Sequence, residues 1–82
     1  MVIVKFTMKG TRTIGFVTNE ATSEDGEKLL YVFIPTAPNP TSGFLQIVRE
    51  EDAKRIDLPT SEAMKVVLSG GKVIHEQMDK EL

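Results

Sequence analysis

The stretch LLYVFIPTAPNPTSGFLQIV, residues 29–48, decides how this chain folds. Its first part, LLYVFI (29–34), is apolar on both alternating faces. Its length and β-branched content favour a strand covered on both sides over a buried helix. FLQIV (44–48) is a further strand, weaker on the Gln46 face. Between them lies an elbow, IPTAPNPTSG (34–43), with prolines at 35, 38 and 40. Proline fixes φ near about −65° and biases the preceding residue toward extended backbone. Ile34, Ala37 and Asn39 are therefore restricted along with the prolines, and most of the elbow is pre-set as extended chain. Asn39, Thr41 and Ser42 can close local side-chain hydrogen bonds, and Gly43 can take positive φ before the next strand.

Upstream, Val2, Val4, Phe6 and Met8 alternate with Lys5, Thr7 and Lys9, a period-two pattern that predicts a half-buried strand. Lys9-Gly10-Thr11 supplies a turn. Residues 12–19 alternate again, Ile14 and Phe16 opposed to Thr13, Gly15 and Val17, which predicts a hairpin. EATSEDGEK (20–28) is polar with an Asp25-Gly26 turn signal and reads as an exposed loop.

Downstream, REEDAKR (49–55) lacks strand formers and suits one helical turn, and Ile56-Asp57-Leu58 reads as a short fifth strand. A helix follows over about 60–70. Thr60 is the expected cap after Pro59, Glu62 suits the helix dipole, and Ala63, Met64, Val67 and Leu68 share a face. Gly70-Gly71 ends it in the left-handed region. Residues 73–82 read as a docked start, Val73 and Ile74, followed by a frayed tail. The expectation is one α+β domain over 1–72: a small curled antiparallel sheet of four to five strands, approaching a partial barrel, then one C-terminal amphipathic helix.

Composition narrows the function classes. With 82 residues, 40% hydrophobic and 6% aromatic, the chain has material for a single thin core. It has no cysteine, which excludes disulfides, thiolate catalysis and a zinc ribbon. Its ten Lys and Arg are scattered and the net charge is −2, so no phosphate-backbone footprint points to nucleic acid. No apolar run approaches the roughly 20 residues of a membrane span, and the alternating N-terminus does not read as a signal peptide.

Each catalytic pattern lacks a partner. His75 is the sole histidine, too little for a metal site or a zincin helix, and reads as a solvated tail residue. Ser23, Ser42, Ser61 and Ser69 sit in no nucleophile elbow. LSGGK (68–72) has no phosphate loop beside it and reads first as a helix cap, with an anion-binding nest as the alternative. Glu50, Glu51 and Asp52 lack the spacing of a calcium loop. Asn39-Pro40-Thr41 is disqualified as a glycosylation acceptor by its proline. No catalytic residue, cofactor or metal is expected. The candidate binding surface is Pro35, Thr36, Pro38, Asn39, Pro40, Thr41, Ser42 and Gly43 with Gly70 and Gly71. An ordered elbow lowers the cost of binding, and nothing in it titrates near neutral pH.

VFIPTAPNPTSGFLQIV (32–48), AMKVVLSGG (63–71) and TIGFVTNE (13–20) closely resemble a family of predicted membrane proteins of unknown function, domain-of-unknown-function family five hundred and two. That family includes the plant continuous-vascular-ring-like proteins. The resemblance runs from about residue 10 to 71. It departs at Arg49, where members usually carry proline. It also implies two transmembrane helices upstream, so the chain reads as the soluble domain of a membrane-located protein. The resemblance brings no catalytic residues. It implies an interaction or regulatory role, with a protein partner or the protein's own membrane segments as contacts and self-association left open. The alternative from residue chemistry is a small-anion or small-ligand site made by the elbow and the Ser-Gly-Gly turn.

Overall fold

The alternation that begins at Arg12 continues as one strand to Thr22, β2, and this strand changes partner along its length. In the computed structural model, which describes the backbone of residues 2–5 and the whole of residues 11–82, Arg12 to Gly15 pair antiparallel with β1 (Val2–Lys5). From Phe16 onward the ladder runs instead to β3 (Lys28–Pro35). The changeover falls between Gly15 and Phe16, and a register shift between Val17 and Asn19 adds local twist. Phe6, Met8 and the Lys9-Gly10 turn lie outside the described residues.

β3 pairs in unbroken register with β4 (Gly43–Arg49), and β1 pairs with β5 (Ala53–Arg55). All pairings are antiparallel, and the order is β4-β3-β2-β1-β5. The two edges, β4 and β5, are joined by a single 3-10 turn, Glu50–Asp52. Three residues cannot span a flat five-stranded sheet, because neighbouring strands stand about 4.8 Å apart. The sheet therefore curls until its edges approach at that end. Val48 from one edge and Ala53 from the other pack against the buried Leu30 and Val32, with Val17 and Ile34 beside them. β4 and β5 do not pair, so the curl stops short of closure.

The outer face of β2 meets the helices. Ile14 and Phe16 pack against Ile56, Leu58, Ala63, Val66 and Met78. These come from the segment after β5, from α1 (Thr60–Leu68) and from α2 (Glu76–Glu81). One strand thus feeds two cores, Gly15 and Val17 inward to the curl, Ile14 and Phe16 outward to the helices. Full burial of a side chain such as Leu30 or Val32 contributes roughly 1.5–3 kcal/mol. The architecture is α+β, as its order of elements implies.

Several local expectations are corrected. The loop at 20–28 shrinks to 23–27, because β2 and β3 extend into it. There the Ser23 and Glu27 backbones bond at 2.9 Å, and Gly26 takes φ 86°. The fifth strand is Ala53–Arg55, and Ile56 and Leu58 are core residues instead. Helix α1 begins at Thr60 with Pro59 at its cap and no side-chain capping bond. Its buried face is Ala63, Val66 and Val67, while Leu68 points to solvent. The tail is not frayed: it forms α2, anchored by the buried Met78, whereas Val73 and Ile74 are 48% and 69% exposed. His75 is not merely solvated. Its Nδ1 accepts the Gln77 amide at 3.2 Å and caps α2.

Candidate functional site

The elbow orders itself with its own polar groups. The Thr36 amide donates to the Ser42 carbonyl at 2.9 Å, closing residues 36–42 into a loop. The Thr36 hydroxyl sits within reach of the Asn39 carbonyl and, at 3.1 Å, of the Ser42 carbonyl. The Asn39 side chain accepts the Thr41 amide at 3.2 Å. The Ala37–Pro38 peptide is cis. Gly43 is required for a different reason than positive φ. A β-carbon there would stand 2.9 Å from Cε1 and Cζ of Phe33, and closer still to the Ile34 carbonyl. The aromatic ring passes over the glycine because nothing is in its way.

The Ser-Gly-Gly turn is equally self-contained. The Gly71 amide donates to the Val66 carbonyl and the Gly70 amide to the Val67 carbonyl, both at 3.0 Å. With Gly70 at φ 67°, this is the Schellman arrangement that closes a helix C-terminus. The Ser69 hydroxyl donates to the Val66 carbonyl and accepts the Val73 amide, each at 2.9 Å. Both glycine amides are thereby committed to helix carbonyls and do not form the outward-facing nest an anion needs.

The fold brings these two remote segments together. A β-carbon on Gly70 would touch Cβ of Pro38 at 3.9 Å. Between them opens a cavity of about 300 Å³, at the mouth of the curled sheet. Pro35, Ala37, Gly70 and Gly71 line it along with Ile14, Ile34, Val66 and Val67, and Arg12 and Thr13 form its polar side. Of the sequence candidates, Pro35, Gly70 and Gly71 reach the cavity, and Pro38 stands beside Gly70. Thr36, Asn39 and Ser42 serve the inside of the elbow, where Thr41 contributes its amide. Pro40 and Gly43 line no part of the mouth. The apolar wall from Ile14, Ile34, Val66 and Val67 was missed, although the alternation at Ile14 and the apolar period of the helix both signal burial.

Apart from Arg12, no charged residue lines the cavity. Arg49 donates from Nε to Asp52 at 2.7 Å and meets Glu51 at 3.0 Å. Hydrogen bonding to Asp52, then the charges of Asp52 and Glu51, hold its guanidinium above the ordinary arginine range. The Ser23 hydroxyl, then the Glu27 amide, hold the Asp25 carboxyl below the ordinary carboxylate range. Among the described residues no group of three His, Cys, Asp or Glu is placed to hold a metal ion. No helix among them is long and apolar enough to cross a membrane.

A family model described as "Protein of unknown function (DUF502)" matches residues 1–42, which takes in β1 to β3 and the elbow as far as Ser42. No curated protein and no solved structure matches the chain.

Proposed function

The chain belongs to this family, Protein of unknown function (DUF502), and from that premise we propose that it is a non-catalytic interaction or regulatory domain of an integral membrane protein. The observation that carries the reading is the convergence of the elbow and the α1 C-terminus on one mostly apolar mouth. Both segments satisfy their own polar groups, so they offer shape and apolar surface at little ordering cost. That suits a protein segment more than a chemical reaction. The one imidazole in the chain is engaged as a helix cap, and the Thr36 hydroxyl of the elbow is held by backbone carbonyls.

The membrane part of this reading rests on the family resemblance, which implies two upstream spans; such spans would set the domain beside apolar helices and their connecting segments. A small ligand is the second reading, favoured by the mouth's volume of about 300 Å³, at the lower end for ligand pockets. With the glycine amides committed to α1, that ligand would be apolar and not an anion.

The test is an amide-resonance titration of the protein with detergent-solubilised membrane extract, alongside phosphate and sulfate. The expected result is movement of Thr13, Ile34, Ala37, Gly70 and Gly71 with extract, lost in Ala37→Glu, and flat anion titrations. Resonances that stay still with extract, or that move equally in Ala37→Glu, overturn the reading.

A further inference from the structure

The two edges of the sheet are unlike. β5 is three residues long, carries Lys54 and Arg55, and is pinned to α2 by Lys54 to Glu81 at 2.7 Å. Short, charged edges are how monomeric sheets avoid pairing with other chains. β4 has none of these devices. It is seven residues long, runs in unbroken register with β3, and contains no proline and no lysine. Phe44, Leu45 and Ile47 are 66%, 62% and 54% exposed. Its one charge, Arg49, is already bound by Glu51 and Asp52 of the same chain. Among the described residues no strand takes its outer edge.

We infer that β4 is a self-association edge, on which two copies of this chain pair their β4 strands antiparallel about a two-fold axis at Gln46. The occupant is a second copy because the strand is complementary to itself in that register. Leu45 of one copy falls opposite Ile47 of the other, Phe44 opposite Val48, and Gln46 opposite Gln46. Gly43 falls opposite Arg49, so no like charges meet and the guanidinium has room. On one face the β3 to β4 register continues the row: Phe33 lies beside Leu45, and Tyr31 beside Ile47. Phe16 lies beside Phe33 in turn. Across the axis this becomes Phe16, Phe33, Leu45, then Ile47 and Tyr31 of the second copy, an uninterrupted apolar ladder of the kind that stabilises sheets. Two-fold pairing is also the commonest closed assembly and leaves no β4 edge open. The surface is separate from the mouth.

Sedimentation equilibrium and cysteine cross-linking test this. A contact below about 1,200 Å² predicts a weak dimer, populated near ~0.5 mM and dissociated near ~5 µM. Leu45→Lys, an exposed site where a charge blunts the edge, is expected to weaken it about tenfold or more with unchanged circular dichroism. Opposed residues in an antiparallel pair stand about 4.5–5.5 Å apart at Cα, within disulfide reach. The chain has no cysteine of its own, so Gln46→Cys is expected to oxidise to a disulfide dimer faster than the exposed turn variant Glu24→Cys. A protein that stays monomeric at ~0.5 mM, a dimer that Leu45→Lys leaves intact, or cross-linking equal at positions 46 and 24 overturns the inference. Ala37→Glu is expected to leave the dimer unchanged, so failure of the mouth reading and failure of the edge reading are told apart.

Discussion

Gly15 lies directly against Val32 of the neighbouring strand on the inner face of the curl: a β-carbon on the glycine would fall inside contact distance of Val32 Cγ1. The Phe33 carbonyl and Ile34 Cγ1 would also crowd it, at 3.3 and 3.4 Å. The glycine is buried and sits where β2 passes from the β1 ladder to the β3 ladder. The missing side chain makes room for the Val32 side chain on the inner face.

Gly15→Ala is therefore expected to destabilise by about 1–3 kcal/mol, the usual cost of overpacking a tight core. The steric term opposes and outweighs the roughly 0.5–1 kcal/mol that alanine gains over glycine in a strand. Urea unfolding measures it as a lower midpoint with little change in slope. Adding Val32→Ala should recover part of the loss relative to the sum of the two single changes, because the residues share one space.

Met78→Ala is expected to cost about 2–5 kcal/mol, as for other large-to-small changes in a core. Met78 is buried with Ile56, Leu58, Ala63 and Val66, so its truncation opens a gap under both helices. Val73→Ala and Ile74→Ala, at exposed positions, should each stay within about 0.5 kcal/mol. The order of these three is the reverse of what the tail's composition suggests.

That reversal shows where the sequence is legible and where it is not. Strands with a two-residue period or a solid apolar run, β2 through β4, announce themselves because their own pattern encodes their burial. Residues 29–34 and the elbow are placed within a residue or two for this reason. α2 has six residues and one apolar anchor, too few for any period to register. β5 is three residues of mixed polarity, and it is a strand because β1 offers a partner, not because Ala53, Lys54 and Arg55 prefer one. The mouth was half legible. Pro35 and the two glycines stand out locally, but Ile14, Ile34, Val66 and Val67 join them only through the curl, which no local pattern contains.

The Asp25 carboxyl gives a pH dependence whose sign is fixed. Its folded pKa lies below the ordinary value, chiefly through the Ser23 hydroxyl and then the Glu27 amide. The turn's contribution is thus fully present above the ordinary carboxylate pKa of about 3.9. It is lost as pH falls through the lowered folded value. The Glu27 amide resonance should hold its position from pH 7 to about 5 and move only in more acid solution. Asp25→Asn should abolish that step. A step centred above the ordinary value would contradict the geometry.

Thr36→Val separates order in the elbow from surface at the mouth. Its hydroxyl faces into the loop, bonded to the Asn39 and Ser42 carbonyls, and lines no part of the cavity. The substitution keeps the side-chain volume nearly constant and keeps the Thr36 amide bond to Ser42, so β3 and β4 should hold their register. The loss of one partly exposed hydrogen bond should cost about 1 kcal/mol of stability. If the elbow acts by being pre-ordered, binding at the mouth should weaken although no contacting atom has changed, since ordering must then accompany association. Amide exchange at Thr41 and Ser42 measures the loosening, and the membrane-extract titration measures the binding. Faster exchange with unchanged binding would reduce the elbow to a connection between strands and leave Ile14, Ile34 and the α1 C-terminus as the whole of the contact.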